Sequence, residues 1–194
     1  ITCILLFLFS CKGEELPFIG HHTVNPDTKE TIYHKIQPIS FVNQEKEAIT
    51  EEYLHGKITI VDFFFSTCPT ICPVMTNNMV KIQKEFLKDS TVMLLSLSVT
   101  PELDNPEVLR AYANDKGVID AKWNVTTGDK KHIYELARKS YFAVVEQGDG
   151  NLQDFIHTPN FVLIDKKKRI RGIYNGTLDD EIKRLIDDIN LLTK

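Results

Sequence analysis

The chain has 194 residues, of which 42% are hydrophobic and 26% charged, and its formal net charge at pH 7 is −4. This length suits a single domain with one good core. The weakly acidic balance excludes the basic footprint of a nucleic-acid-binding protein. The one dense basic tract, residues 166–169, is interpreted as a charged turn between two strands.

Residues 1–10 are nearly all apolar and are followed directly by Cys11. Ten residues cannot span a bilayer. A cut-off membrane anchor or a buried strand is the weaker interpretation of this run. The pattern predicts the end of a bacterial lipoprotein signal, with Cys11 lipidated after cleavage and the chain beginning inside the signal. The predicted location is the periplasmic face of a bacterial cell-envelope membrane.

The lipoprotein prediction changes the cysteine count. Cys3 would leave with the signal and Cys11 would be acylated, so only Cys68 and Cys72 would remain as thiols. One close pair is too sparse for a disulfide scaffold and is typical of redox or metal chemistry.

The rest of the chain divides into a polar tether at residues 12–35 and a domain at residues 36–194. Hydrophobic periodicity and turn residues predict its elements. In chain order these are a strand at 38–42, a helical turn at 50–54, a buried strand at 58–65, a helix from 72 to about 88, a strand at 92–99, a helix opened by Asn105, a link containing Trp123, a helix opened by Asp129, a short strand at 143–145, a hairpin at 161–174 and a C-terminal helix at 178–189. This order predicts an α/β fold of the thioredoxin-like type, with a central mixed sheet flanked by helices.

The chemistry-bearing residues lie where the buried strand meets the helix after it. Cys72 is expected at or just inside the helix start, where Pro73 suits the first turn, and Cys68 in the preceding turn. Backbone amides at a helix start favour a thiolate, which attacks disulfides and binds soft metals. The sequence alone leaves open a redox pair and a metal site.

Spacing and the available partners narrow these alternatives. Thioredoxin-type catalysts have two residues between their cysteines, whereas three separate Cys68 from Cys72. Phe65 occupies the position where peroxiredoxins need a threonine, which argues against a peroxidase. A structural zinc site needs four ligands, and no second Cys or His cluster is present. Two thiolates with one imidazole suit copper(I).

The third ligand would come from one of six histidines. His157 is the best candidate because it precedes the apolar run at 161–164, and Pro159 is considered a cis proline facing the cysteine turn. The simpler interpretation is a histidine satisfied by hydrogen bonds at a strand end. The other histidines are interpreted as solvated or surface residues: His21, His22, His34, His55 and His132.

Four groups of residues together resemble the Sco/SenC family over roughly residues 35 to 190. They are the run 65–73 with both cysteines, the run 96–102 followed by 105–109, Trp123 before Gly128, and His157 seven residues before Ile164. The resemblance implies a thioredoxin-like fold on a membrane-tethered domain outside the cytoplasm. It also implies copper carried by Cys68, Cys72 and His157.

The usual task in that family is assembly of the binuclear copper centre of cytochrome c oxidase, by delivering copper or by keeping its cysteines reduced. The expected partners are therefore the copper-bearing subunit of the oxidase or another envelope cuproprotein, a thiol reductant and the membrane. A disulfide between Cys68 and Cys72 would be the metal-free, oxidised form. The alternative is an enzyme, a metal-free thiol-disulfide oxidoreductase. Three residues depart from the family pattern around the site: Thr70, Thr100 and Leu103.

Overall fold

A computed structural model of the chain describes residues 15–144, 156 and 158–194. Cys11, Val145 and His157 lie outside the described residues, so the predictions that concern them are untested by the fold. The strands are β1 (Thr23–Val24), β2 (Thr31–Ile32), β3 (Ser40–Asn43), β4 (Ala48–Thr50), β5 (Ile58–Phe64), β6 (Val92–Ser98), β7 (Trp123–Thr127), β8 (Asn160–Ile164) and β9 (Ile170–Asn175). The helices are α1 (Glu51–Leu54), α2 (Cys72–Glu85), α3 (Pro106–Lys116), α4 (Lys130–Glu135), which continues into a π-helical turn (Leu136–Ser140), and α5 (Asp179–Thr193).

Seven strands form one mixed sheet in the order β4-β3-β7-β6-β5-β8-β9. The central strands β5, β6 and β7 are parallel, while β8 runs antiparallel to β5 and β9 antiparallel to β8. Helices pack on both faces of this sheet. The predicted α/β class with a central mixed sheet is confirmed.

Strand β5 is buried along its whole length and distributes its side chains between two cores. Ile60 and Phe64 pack with α2, α3 and α5 on one face, and Val61 and Phe63 pack with α1 and α4 on the other. The alternation follows from the two-residue period of a strand. It places Asp62 on the face covered by α2.

Three sequence predictions need correction. Trp123 begins strand β7 instead of lying in a link, because the polar residues after it are buried and bonded: Thr126 Oγ1 donates to the Ser96 carbonyl at 2.9 Å. Ala143 and Val144 are not in a strand. The peptide bonds of the described residues are all trans, so Pro159 is not a cis proline; trans is the lower-energy isomer even before proline.

The described part of the predicted tether contacts the domain. Ile19 pairs with Ile170 at the start of β9, and Arg171 donates to the carbonyls of Leu16 (2.5 Å) and Pro17 (3.0 Å). No helix within the described ranges is long and apolar enough to cross a membrane. The domain boundary at residues 35 and 36 stays a prediction.

Candidate copper and redox site

The two cysteines lie at the carboxyl end of β5, as the sequence predicted. Cys72 is the first residue of α2, and the amide of Cys68 donates to the Phe65 carbonyl at 3.2 Å, which closes a turn before the helix. Their side chains are 7% and 5% exposed, and neither forms a disulfide. This position, outside the carboxyl end of a parallel strand, is where open α/β sheets place ligands.

The surroundings shift the pKa values of the two thiols in opposite directions. Burial raises the pKa of Cys68, but hydrogen bonds from the Cys72 thiol and from the amides of Thr70 and Cys72 outweigh it, so the net shift is downward. Burial, the hydrogen bond given to Cys68 and the charge on Cys68 raise the pKa of Cys72 to about 12. Cys68 is therefore the more acidic thiol of the reduced pair, and Cys72 is the weaker acid that donates a hydrogen bond to it.

A buried carboxyl group lies on the same face of the sheet as the cysteines. Asp62 is 2% exposed and accepts a hydrogen bond of 2.5 Å from Ser96 Oγ, which in turn accepts one of 2.9 Å from Trp123 Nε1. Burial raises the pKa of Asp62 to about 7, only partly offset by Ser96, and the charge on Asp62 contributes to the raised pKa of Cys72. The sequence signal that could have indicated this group is a lone charge inside the apolar run 58–65.

Asp62 makes stability depend on pH in an unusual direction. Because its folded-state pKa of about 7 lies above the unfolded value, its contribution is complete below about pH 4 and is lost as pH rises through 7. We expect Asp62→Asn to be more stable than the wild-type protein at pH 8, by on the order of 2–4 kcal/mol, with the difference vanishing near pH 4. Urea unfolding across this range measures it, with the exposed Asp187→Asn as control. A difference that is constant with pH would contradict the prediction.

His157 lies outside the described residues, but both of its neighbours are described. Ile156 is buried in the core, and Thr158 Oγ1 donates to the Ala143 carbonyl at 2.8 Å. Strand β8 begins two residues later at Asn160 and runs antiparallel to β5, so its first residues lie at the end of the sheet where β5 leads into Cys68. The described residues alone contain no group of three or more His, Cys, Asp or Glu side chains that would hold a metal ion.

The other histidines have separate environments. His55 is exposed, as predicted. His34 and His132 are half-buried instead of lying at the surface, because the His34 ring contacts the Ser140 carbonyl at 2.7 Å and the His132 ring packs against Phe41. None of these contacts of His34 and His132 involves the cysteines.

The three departures from the family pattern lie around the cysteines. The Thr70 hydroxyl lies 3.7 Å from the Cys68 sulfur, and the Thr100 hydroxyl donates at 2.9 Å to Asp104, a buried residue just before α3. Leu103 is 61% exposed on the same connection between β6 and α3. Thr70 therefore contacts a candidate ligand directly, whereas the Leu103 side chain is exposed to solvent.

A sequence model of the SCO1/SenC family matches residues 27–194, which is most of the chain and includes the whole seven-stranded sheet. The chain belongs to the SCO1/SenC family. This is the family that the cysteine spacing and the downstream histidine resemble.

Individual relatives support the same assignment. The SCO1 protein homolog of Bacillus subtilis is 31% identical over 188 residues, covering 96% of this chain and 91% of that protein. The crystal structure of a SCO1/SenC family lipoprotein from Bacillus anthracis has a TM-score of 0.73 at 29% identity and covers 83% of this chain and 96% of its own. The structure of BsSco, described as a Sco-family cytochrome c oxidase assembly protein with a disulfide switch, has a TM-score of 0.70 at 31% identity, covering 82% and 94%. These neighbours share the predicted fold.

Proposed function

We propose that this protein is a copper(I)-binding assembly factor of the Sco/SenC type. It binds copper(I) through Cys68, Cys72 and His157 and passes it to the binuclear copper site of cytochrome c oxidase, or keeps the cysteines of that site reduced. The observation that carries the proposal is the buried pair of thiols at the start of α2, in which hydrogen bonds lower the pKa of Cys68. Thiolate is the form that binds a soft metal.

Binding copper(I) through both sulfurs requires the Cys72 thiol to lose its proton as well. Its pKa of about 12 belongs to the metal-free pair, in which the Cys72 proton lies in a hydrogen bond to Cys68. A bound cation would stabilise both thiolates and release that proton, so copper(I) affinity should rise with pH. The third donor is assigned to His157 because it lies three residues before β8, whose first residues reach the cysteine end of β5.

A thiol-disulfide oxidoreductase of the cell envelope is the second candidate. The split between a low-pKa Cys68 and a high-pKa Cys72 also suits a pair in which one sulfur attacks a disulfide and the other resolves the mixed disulfide. The substrate disulfide would gain two electrons and two protons as Cys68 and Cys72 join. A thiol reductant would then restore the pair. The disulfide switch named for BsSco is consistent with this chemistry.

The decisive experiment is anaerobic copper(I) titration of the reduced protein with X-ray absorption to count ligands. The expected result is one copper per chain with two sulfurs and one nitrogen, and loss of binding in Cys68→Ser. Four sulfurs would indicate a site shared between two chains. Failure of the reduced wild-type protein to bind copper would reject the metal function and leave the oxidoreductase.

Membrane attachment through Cys11 forms part of the proposal. It is supported by the apolar run before Cys11 and by the lipoprotein described from Bacillus anthracis. We expect Cys11→Ser in the full-length precursor to abolish lipid labelling while copper binding is retained, because Cys11 is not one of the proposed copper ligands. Metabolic labelling with a fatty acid measures the lipid attachment. Lipid labelling that persists in Cys11→Ser would contradict the assignment.

A further inference from the structure

The turn between β8 and β9 presents two lysines to solvent. Lys166 and Lys167 are its exposed central residues, since the Lys168 amide donates to the Asp165 carbonyl at 2.9 Å. Lys168 and Arg169 each pair with a carboxylate, whereas Lys166 and Lys167 form no salt bridge within the described part of the chain. The dense basic tract of the sequence therefore keeps two unpaired cations at the surface.

Two further lysines lie beside this turn. Lys35 is exposed and adjacent to it, because the Ile36 amide donates to the Lys168 carbonyl at 2.9 Å. Lys57 is brought to it by the Gly56 amide, which donates to a carbonyl of the same turn at 3.3 Å. We call this surface the basic end of the domain, and it comprises Lys35, Lys57, Lys166 and Lys167.

Nearby carboxylates do not neutralise the basic end. Asp89 accepts hydrogen bonds from the amide and hydroxyl of Thr91, and Glu52 is exposed on α1. The lysines outnumber these two carboxylates, although the whole chain has a net charge of −4. An anionic surface would therefore attract this end of the domain and repel the rest of it.

The start of the described chain is fixed at the same end. Glu15 lies 3.8 Å from Arg171, which follows the turn closely, and the Phe18 ring lies 4.1 Å from the Arg171 guanidinium. Cys11 precedes Glu15 by four residues, and four residues of chain extend at most about 14 Å. A lipid on Cys11 would therefore hold this end of the domain close to the membrane surface.

The cysteine pair lies at the other end of the domain. Strand β5 begins directly after Lys57, and Cys68 and Cys72 follow its carboxyl end. Its seven residues span roughly 20 Å. The distance between the basic end and the thiols exceeds the Debye length of about 8 Å at physiological ionic strength, so a surface that attracts the basic end does not reach the cysteines.

We propose that the basic end docks on the anionic lipid headgroups of the membrane to which Cys11 is attached, with the cysteine pair turned to the aqueous side. The proposal rests on the proposed lipid attachment only for what brings the domain to the membrane. A basic surface beside a lipid anchor adds a second, salt-sensitive contribution to membrane binding. A copper recipient or a disulfide substrate then approaches the thiols from the side away from the lipid.

The surface is tested first without a lipid, in the chain from residue 11 with Cys11→Ser, which keeps every residue that the structure describes. We expect this protein to bind vesicles of phosphatidylglycerol and phosphatidylcholine at low salt, and to bind phosphatidylcholine vesicles at least about tenfold more weakly. Added salt should release it, because exposed charges are screened. Cosedimentation with the vesicles measures the binding.

Lys166→Gln combined with Lys167→Gln is expected to lower binding to the anionic vesicles about twentyfold, since each lysine beside an anionic surface contributes roughly fivefold. The matched control combines Lys131→Gln with Lys183→Gln. Both control residues are exposed, near the starts of α4 and α5, which follow strand ends on the cysteine side of the sheet. The control changes the net charge equally and should bind within about twofold of the parent protein.

Three results would overturn the docking proposal. They are equal losses in the two double variants, equal binding to the two kinds of vesicle, and no binding of the parent protein to anionic vesicles. Equal losses would show that net charge, and not the basic end, governs the attraction.

Acetylation of lysines in the lipidated chain tests the orientation. Lys166 and Lys167 should react several times more slowly on anionic vesicles than on phosphatidylcholine vesicles, whereas Lys131 and Lys183 should react equally on both. Peptide mass spectrometry gives the rates, and equal protection of the two pairs would contradict the orientation. Absence of a lipid on Cys11 would instead reject the proposed attachment and leave the vesicle binding of the unlipidated chain standing.

Discussion

Iodoacetamide is expected to alkylate Cys68 of the reduced, metal-free protein roughly fiftyfold faster than Cys72 at pH 7. With a pKa of about 12, Cys72 has a thiolate fraction at this pH about a thousandfold below that of an ordinary thiol, whereas the pKa of Cys68 is lowered from the ordinary value. The greater intrinsic reactivity of a high-pKa thiolate offsets only part of this difference. Peptide mass spectrometry after a short exposure locates the modified cysteine.

Two serine variants test the origin of this selectivity. Cys72→Ser keeps a hydroxyl that donates to Cys68, so Cys68 should react at close to the wild-type rate. Cys68→Ser removes the charge and the hydrogen bond that raise the pKa of Cys72, so Cys72 should react faster than it does in the wild-type protein. Equal initial rates at the two cysteines of the wild-type protein would show that the assignment of the thiolate is wrong.

His157→Ala is expected to lower copper(I) affinity by at least about a hundredfold, since even the outer contacts of metal ligands cost ten- to a hundredfold when they are lost. Reduction of a disulfide substrate by Cys68 and Cys72 should stay within about twofold, because the imidazole takes no part in thiol exchange. The two measurements together separate a copper carrier from an oxidoreductase. Replacing either cysteine would abolish both activities, so cysteine variants cannot distinguish the two functions.

His55→Ala is the matched control for His157→Ala. His55 is exposed and lies just before β5, at the opposite end of that strand from the cysteines. It should keep wild-type copper(I) affinity and thiol exchange. Competition with a copper(I) chelator measures the affinities. Wild-type affinity in His157→Ala would remove His157 from the ligand set and favour a site made by sulfur alone.

The sequence was sufficient for the elements whose signals are local. The apolar β-branched run of β5 and the stripe of α5 predicted their elements correctly, because burial follows the two-residue and 3.6-residue periods. Asn105 before Pro106 predicted the start of α3, and the Asn105 side chain accepts from the Val108 amide as a cap does. Strand β7 was missed because its alternating polar residues find partners only in the assembled sheet.

Around the cysteines, the local sequence determined less. It predicted the position of Cys72 at the start of α2 and of Cys68 in the turn before it, since proline placement and the end of the apolar run are local signals. The difference between the two thiols was not predictable from the spacing alone. That difference depends on burial and on which amide or thiol points at which sulfur, and these are set by the packing of α2 against the sheet.

By itself, then, the sequence determined the α/β class, the family and the two cysteines as the centre of the chemistry. The tertiary structure decided which cysteine has the lowered pKa and that two carboxyl groups, Asp62 and Asp104, are buried around the cysteine turn. Asp62 is in β5 and its partner Ser96 is in β6. Asp104 follows β6 and its partner Ser66 follows β5. Contacts between residues more than thirty positions apart leave no periodic trace in the chain, because they form only when the parallel strands β5 and β6 lie side by side.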